Sequence, residues 1–397
     1  MASVPFLVRL DLWFFERQIL QIRPWIVLTV AFAPFALACV LRSATGSVPR
    51  IRRDGILLGA AVLLVGAIEV SGLSKWLTAP KDAQVLFFYW LDLFTVFCGF
   101  CLGRALRTWP RARLIFLAAL AVDAAAVLAD WSFPGLLSIS SLGGRPAGFS
   151  GNPNGAAFVA VPLLIGALEW AKPVVTWRQA LIIAGALGIA ILCGSRGGLA
   201  AILAVLCLFW LRVSFAAARS GETIKRLVIG SIVIVTGLVA SAAAAWASES
   251  RLIAVMLEGM LTDYASEQRF LALEASWNLM AAAPFLGHGT GYAYTMDVGP
   301  HNMVLRMWVE NGLLAVVGYG ILYSAIIYVA VNRRDWWIGT AAVAALVMGM
   351  VSHNMLEDRT LLISFGIFLA MSRAPLLNQR QSSNTNPPNA RRGANSR

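Results

Sequence analysis

Charge is sparse in this sequence. Only 13% of its 397 residues are Asp, Glu, Lys or Arg, against about a quarter in soluble globular domains. With 59% hydrophobic residues and a mean hydropathy of +0.73, an ordinary soluble domain is excluded. Histidine occurs three times and cysteine five times. The histidines lack His-Glu-x-x-His spacing, there is no cysteine cluster, and the polar loops carry no Asp-rich motif, so no bound metal is expected. A P-loop and a nucleophile-elbow serine are also missing, which leaves an ATPase or serine hydrolase without support. All five cysteines (Cys39, Cys98, Cys101, Cys193, Cys207) fall in apolar runs, so no disulfide framework is expected. Cys98-Gly-Phe-Cys101 has the spacing of a redox pair, but within a lipid-embedded helix that spacing reads as packing.

Apolar runs, by contrast, recur along the chain. Crossing a hydrocarbon core of ~30 Å takes roughly 17–25 residues of helix. Candidate spans lie near Trp25–Leu41, Gly55–Ser71, Val85–Gly103, Arg113–Trp131, Asn154–Trp170, Gln179–Cys193, Gly197–Leu211 and Leu227–Trp246. Three more lie near Asn302–Val331, Trp336–Val351 and Thr360–Met371. The expected fold is therefore an all-α integral membrane protein, a polytopic bundle of about eleven (ten to twelve) transmembrane helices. The 302–331 run is longer than a span needs, so its first turns are expected above the bilayer.

These runs divide the chain. Residues 1–24 form an amphipathic segment, with Phe6, Leu10, Trp13 and Phe14 on one face and charges that rule out a cleaved signal. Residues 25–246 hold eight spans, 247–301 a large polar loop, 302–373 three spans, and 374–397 a tail expected to be disordered. Most of the 32 Lys and Arg fall in alternate loops and in the tail, the cytoplasmic side by the positive-inside rule, which argues against nucleic acid as a partner. The 247–301 loop is therefore expected outside. An odd span count would also put the N-terminus outside.

Since few cations remain on the outer side, each one calls for a reason. Arg145 lies in Gly143-Gly-Arg-Pro-Ala-Gly-Phe-Ser-Gly-Asn-Pro-Asn-Gly155, where Gly and Pro exclude regular helix. This is either a tight outer turn or, with Asn152 and Asn154 flanking Pro153, an ordered hydrogen-bonding mouth. Arg196, in Cys193-Gly-Ser-Arg-Gly-Gly198, sits between two apolar runs with almost no loop. It either snorkels to the headgroups or faces a cavity that a ligand enters. Arg269 begins an amphipathic helix on which Phe270, Leu273, Trp277 and Met280 recur at helical spacing, with Pro284 as the stop. That helix should lie flat on the bundle or the membrane. Spacing alone favours Arg269 as a surface cation paired with Glu267 or Glu274.

Pro284-Phe-Leu-Gly-His-Gly-Thr-Gly291 could form a compact anion-binding turn carrying His288. His301-Asn302 opens the next apolar run, and Glu310-Asn-Gly312 follows. A histidine at the head of a span is either a hydrogen-bonded surface residue or a group for proton transfer near neutral pH. His353-Asn354, with Glu357, Asp358 and Arg359, marks another outer span end.

Taken in order, these motifs resemble the O-antigen ligase and polymerase family, bacterial multispan enzymes that join lipid-linked glycans. The resemblance rests on residues 145–154, Ser-Arg-Gly-Gly (195–198), Arg269, Pro-Phe-Leu-Gly-His-Gly (284–289), His-Asn (301–302) and Glu-Asn-Gly (310–312). It covers about Arg145 to Ile327, and its specificity lies in the joint order of short motifs around one large loop. The resemblance implies a bacterial inner-membrane protein with a periplasmic site and no cofactor. It also implies an undecaprenyl-pyrophosphate-linked glycan as donor, and a glycan or lipid A-core hydroxyl as acceptor. Carried over residue by residue, Arg196 and Arg269 hold the pyrophosphate and His301 assists the acceptor. Arg145, Asn152, Asn154, His288, Asn302 and Glu310 are then candidates for substrate binding. The chain is short for the family, so ligase and polymerase both stand. A transporter or flippase is the rival, but it would show internal repeats and broken helices meeting at the midplane, whereas here the polar residues collect at span ends.

Overall fold

The computed structural model describes residues 94–103, 111–134, 145–150, 152–170, 175–220, 264–296, 299–300, 302–333, 335–351 and 359–371. It also describes positions 64–66, 68, 70–71, 106 and 136. The expected spans near 25–41 and 227–246, the N-terminal segment and the tail lie outside the described residues.

Among the described residues the protein is all-helical. In chain order the helices are α1 (Phe94–Gly103), α2 (Arg113–Ser132), α3 (Pro153–Ala167), α4 (Trp177–Leu192), α5 (Arg196–Ser220), α6 (Tyr264–Ala282), α7 (Met303–Arg333), α8 (Trp336–Val351) and α9 (Arg359–Met371). Three stretches among the described residues are long and apolar enough to cross a membrane: Arg113–Ser132, Arg196–Phe215 and Met303–Val331. The shorter α1, α3, α4 and α8 are also apolar.

Buried on every side, α3 is the hub. It packs against α2, α4, α5, α8 and α9, and Ala156, Ala157, Ala160, Val161, Leu163 and Leu164 are all fully buried. A helix that is apolar all round belongs at the centre of a bundle. Small residues then set how closely its neighbours approach. A Cβ at Gly198 of α5 would stand 2.4 Å from the Ala157 Cβ, so α5 touches α3 along its N-terminal turns. Along α1, a Cβ at Gly99 would meet the Ile363 carbonyl oxygen of α9 at 2.2 Å, so the Cys98–Cys101 stretch packs closely on α9.

Caps mark several helix starts. Asn152 accepts from the Asn154 and Gly155 amides at the head of α3 (2.9 and 3.4 Å). Thr176 and Gln179 form a capping box on α4, and Asp335 caps α8.

Two ends of the bundle can be followed through contacts. At one end Arg113 of α2 pairs with Glu169, just past α3, and Arg212 of α5 lies 5.9 Å over the Trp336 ring of α8. The opposite end gathers the C-terminus of α2, the start of α3, the α4–α5 joint, the start of α7 and the C-terminus of α8. There Asn302 donates from Nδ2 to the Met350 carbonyl at 3.2 Å, which ties α7 to α8. Every described site candidate with a side-chain contact belongs to this second end or to the α6–α7 connection beside it.

Candidate functional site

Two joints, each made from two sequence motifs, build this end of the molecule. The first links residues 145–154 to 193–198. Arg145 donates from Nε to the Cys193 carbonyl (2.7 Å) and from Nη2 to the Gly194 carbonyl (3.0 Å) and Asn154 Oδ1 (3.2 Å). These carbonyls end α4, where a helix leaves acceptors without N–H partners and a cation is favoured. The planar guanidinium therefore holds the sharp corner between α4 and α5, with Gly194 in the left-handed region at φ 58°. The 145–150 loop is pinned from below: buried Asp130, near the end of α2, accepts the Ala147 and Gly148 amides at Oδ2 (2.8 and 3.2 Å).

Arg196 follows directly as the first residue of α5, half-buried, behind Ser195, whose hydroxyl accepts from the Gly198 amide at 3.2 Å. The N-terminus of a helix this long (25 residues) carries partial positive charge. A guanidinium placed there adds to a field that favours anions.

The second joint is a broken helix filled by a loop. Within α7, Gly312 has φ 73° and ψ −174°, conformations that interrupt the helix. In an unbroken helix the carbonyls of residues 309 and 310 would take N–H groups four residues on. Here they accept instead from the preceding loop: His288 N donates to Val309 O (2.8 Å) and Gly289 N to Glu310 O (2.7 Å). In the other direction Leu313 N donates to Pro284 O at 2.9 Å. Trp308 Nε1 donates to the same oxygen at 3.1 Å. The Pro-Phe-Leu-Gly-His-Gly and Glu-Asn-Gly motifs are thus one unit, in which loop backbone completes the hydrogen bonds the break would leave open.

Glycine is needed on both sides of this joint. A Cβ at Gly287 would lie 2.5 Å from Glu310 C, and one at Gly312 would lie 2.1 Å from Phe285 O. The Ser71 hydroxyl reaches the Leu286 and Glu310 carbonyls at 2.9 Å each, and the Thr290 hydroxyl lies 2.6 Å from Asn311 Oδ1.

Glu310, His288 and Asn302 belong to this second joint and to the half-helix that leads into it. Glu310 is 1% exposed; its Oε1 accepts from Arg306 Nε at 3.1 Å and from Ala293 N at 3.3 Å. The half-buried His288 ring meets the Leu279 carbonyl through Nε2 (2.9 Å) and tilts against Tyr292 at 4.8 Å, tying the loop to the end of α6. Asn302 caps α7 by accepting from the Val304 and Leu305 amides (2.9 and 3.2 Å).

Arg269 lies on α6, and only its backbone is described. By helical register its position shares the face of Ala272, Ser276 and Met280, which are buried on a helix that packs against α7. His301 lies outside the described residues, immediately before Asn302, as do His353, Asn354, Glu357 and Asp358. The structure therefore brings Arg145, Asn154 and the Arg196 corner together, and separately His288, Arg306, Glu310 and the start of α7. Two contributors were not singled out from sequence. Asp130 carried a signal, a carboxylate at the end of an apolar span. Arg306 carried another, a cation four residues before Glu310 on a helix.

The apolar helices and their packing define a multi-pass membrane protein. A family model described as O-antigen ligase matches residues 180–320, from α4 into α7. The match takes in Arg196, Arg269, the Pro284–Gly289 loop, His301 and Glu310, so this region is similar to the O-antigen ligase family. It supports a glycosyltransferase-like function in O-antigen assembly, with a lipid-linked glycan as substrate and a glycan acceptor in general terms. No curated protein matches the chain.

Proposed function

We propose that this protein transfers a glycan from undecaprenyl pyrophosphate to an acceptor hydroxyl at the periplasmic face of the bacterial inner membrane. The observation that carries the reading is the family match across 180–320. It spans Arg196 at the head of α5, Arg269 on α6, and His301, two residues before α7 in the sequence. In this mechanism the acceptor oxygen attacks the anomeric carbon as the bond from that carbon to the pyrophosphate oxygen breaks, in one in-line step that inverts the centre. The imidazole of His301 takes the hydroxyl proton. Arg196 and Arg269 follow the negative charge that builds on the departing pyrophosphate, since guanidinium forks match phosphate oxygens in pairs. Groups placed where charge develops lower the barrier without requiring a metal.

The other candidates then serve as framework. Arg145, Asn152 and Asn154 fix the corner that presents Arg196; His288, Asn302 and Glu310 fix the half-helix that follows His301 in the sequence. Chain length in a deletion strain separates the two product types. Loss of long chains, with single units still attached to their acceptor, identifies a polymerase. Accumulation of unattached lipid-linked polymer identifies a ligase. Unchanged glycans in that strain would contradict both.

A further inference from the structure

We infer that α6 is an interfacial helix whose Phe270–Leu273–Trp277 face is seated in the acyl region of the lipid bilayer. Three sectors run along this helix. Ala272, Ser276 and Met280 are buried, and α6 packs on α7. Next in register come Phe270, Leu273 and Trp277, exposed at 66%, 45% and 66%. Beyond them lie the exposed Glu274, Asn278 and Ala281. The contact between α6 and α7 calls for no second apolar sector, and a contiguous exposed face of three large apolar side chains marks a contact surface. Protein, lipid and water in adjacent sectors is the arrangement of a helix lying in the membrane interface.

The occupant is identified by continuity. Pro284 O meets Leu313 N, and the exposed Phe285 and Leu286 lie with their backbone against Gly312, two residues before Leu314. Leu314 begins the exposed stripe Leu314, Val317, Ile321, Tyr328 and Val331 on a helix long and apolar enough to span the membrane. The apolar surface thus runs from the span onto the loop that follows α6, and bulk phospholipid covers it. Seated this way, α6 is held at a fixed height while its opposite edge keeps position 269 against α7. Which leaflet receives it rests on the periplasmic reading above; contact with lipid does not.

The test uses the full chain in vesicles of phosphatidylethanolamine and phosphatidylglycerol, with no polyprenyl lipid present. A benzophenone amino acid is installed in turn at positions 270, 273 and 277 and, as controls, at 274 and 278. On irradiation, lipid adducts several-fold stronger at the first three positions than at the controls are expected. Equal adducts at all five positions, or none, would overturn the inference. Adducts to a second protein copy would overturn it in favour of an oligomer contact. Adducts that appear only once undecaprenyl pyrophosphate is added would overturn it in favour of the donor's own tail. Since cross-linking requires no turnover, loss of the glycosyl-transfer reading would leave this result standing.

Discussion

Gly312→Ala should disconnect the loop from the helix. Its φ of 73° and ψ of −174° fall in a region that only glycine occupies readily, and forcing another residue there costs about 1–3 kcal/mol. The added Cβ would also come within 2.1 Å of Phe285 O and 2.2 Å of Phe285 C. These are backbone atoms, which cannot rotate away, so the loop must withdraw. Withdrawal gives up His288 N–Val309 O, Gly289 N–Glu310 O and Leu313 N–Pro284 O, each worth about 0.5–1.5 kcal/mol. Strain alone disfavours the docked arrangement by about 1–3 kcal/mol, and the clash adds to it, against the roughly 1.5–4.5 kcal/mol that the three hydrogen bonds supply. At 1.36 kcal/mol per tenfold, strain alone lowers the docked population about fivefold to a hundredfold. Alanine meanwhile favours a continuous helix over glycine by about 1 kcal/mol, so the variant should insert normally with α7 straightened. Amide exchange in 284–291 should accelerate, and glycan transfer should fall by about tenfold or more. Gly185→Ala is the control, because a Cβ there meets nothing within 4 Å. Normal transfer with unchanged protection of 284–291 in Gly312→Ala would refute the reasoning.

Three further outcomes follow from the same geometry. Glu310→Gln leaves Arg306 charged at 1% exposure and should lower stability by about 3–5 kcal/mol. Thermal unfolding in detergent would show this, with Arg306→Met/Glu310→Leu lying closer to wild type. Asp130→Asn weakens the acceptor for the Ala147 and Gly148 amides and should cost about 1–3 kcal/mol, read as earlier proteolysis between 145 and 152. Arg145→Lys keeps the charge but cannot serve Cys193 O, Gly194 O and Asn154 Oδ1 with one planar fork. A stability loss of about 1–2 kcal/mol is expected, together with a drop in transfer that added salt does not restore.

Much of the helix layout was legible in the sequence, because apolar run length is a local property. The runs near 113–131, 179–193 and 336–351 become α2, α4 and α8 within a few residues. The long 302–331 run was expected to rise above the bilayer, and the structure divides it at Gly312. Where it breaks was not legible, since the partners that stabilise the break come from residues 284–289. For the same reason Pro284–Gly291 read as a turn for anions, yet the His288 and Gly289 amides are taken up by carbonyls of α7. The four residues Phe270, Leu273, Trp277 and Met280 read as one face. Only Met280 packs inward, because small Ala272 and Ser276 allow α6 to approach α7 on the neighbouring face. Arg145 and Arg196 read as two separate outer cations; the tight α4–α5 corner makes them neighbours.

If transfer proceeds as proposed, Arg196, Arg269 and His301 meet around one diphosphate. The most direct measurement is a structure of the full chain with undecaprenyl pyrophosphate bound. Both guanidinium groups should lie about 2.7–2.9 Å from phosphate oxygens, with the His301 ring on the open side where an acceptor hydroxyl would stand. A diphosphate bound at the Arg113–Glu169 end of the bundle, or held with Arg196 and Arg269 both out of reach, would contradict it.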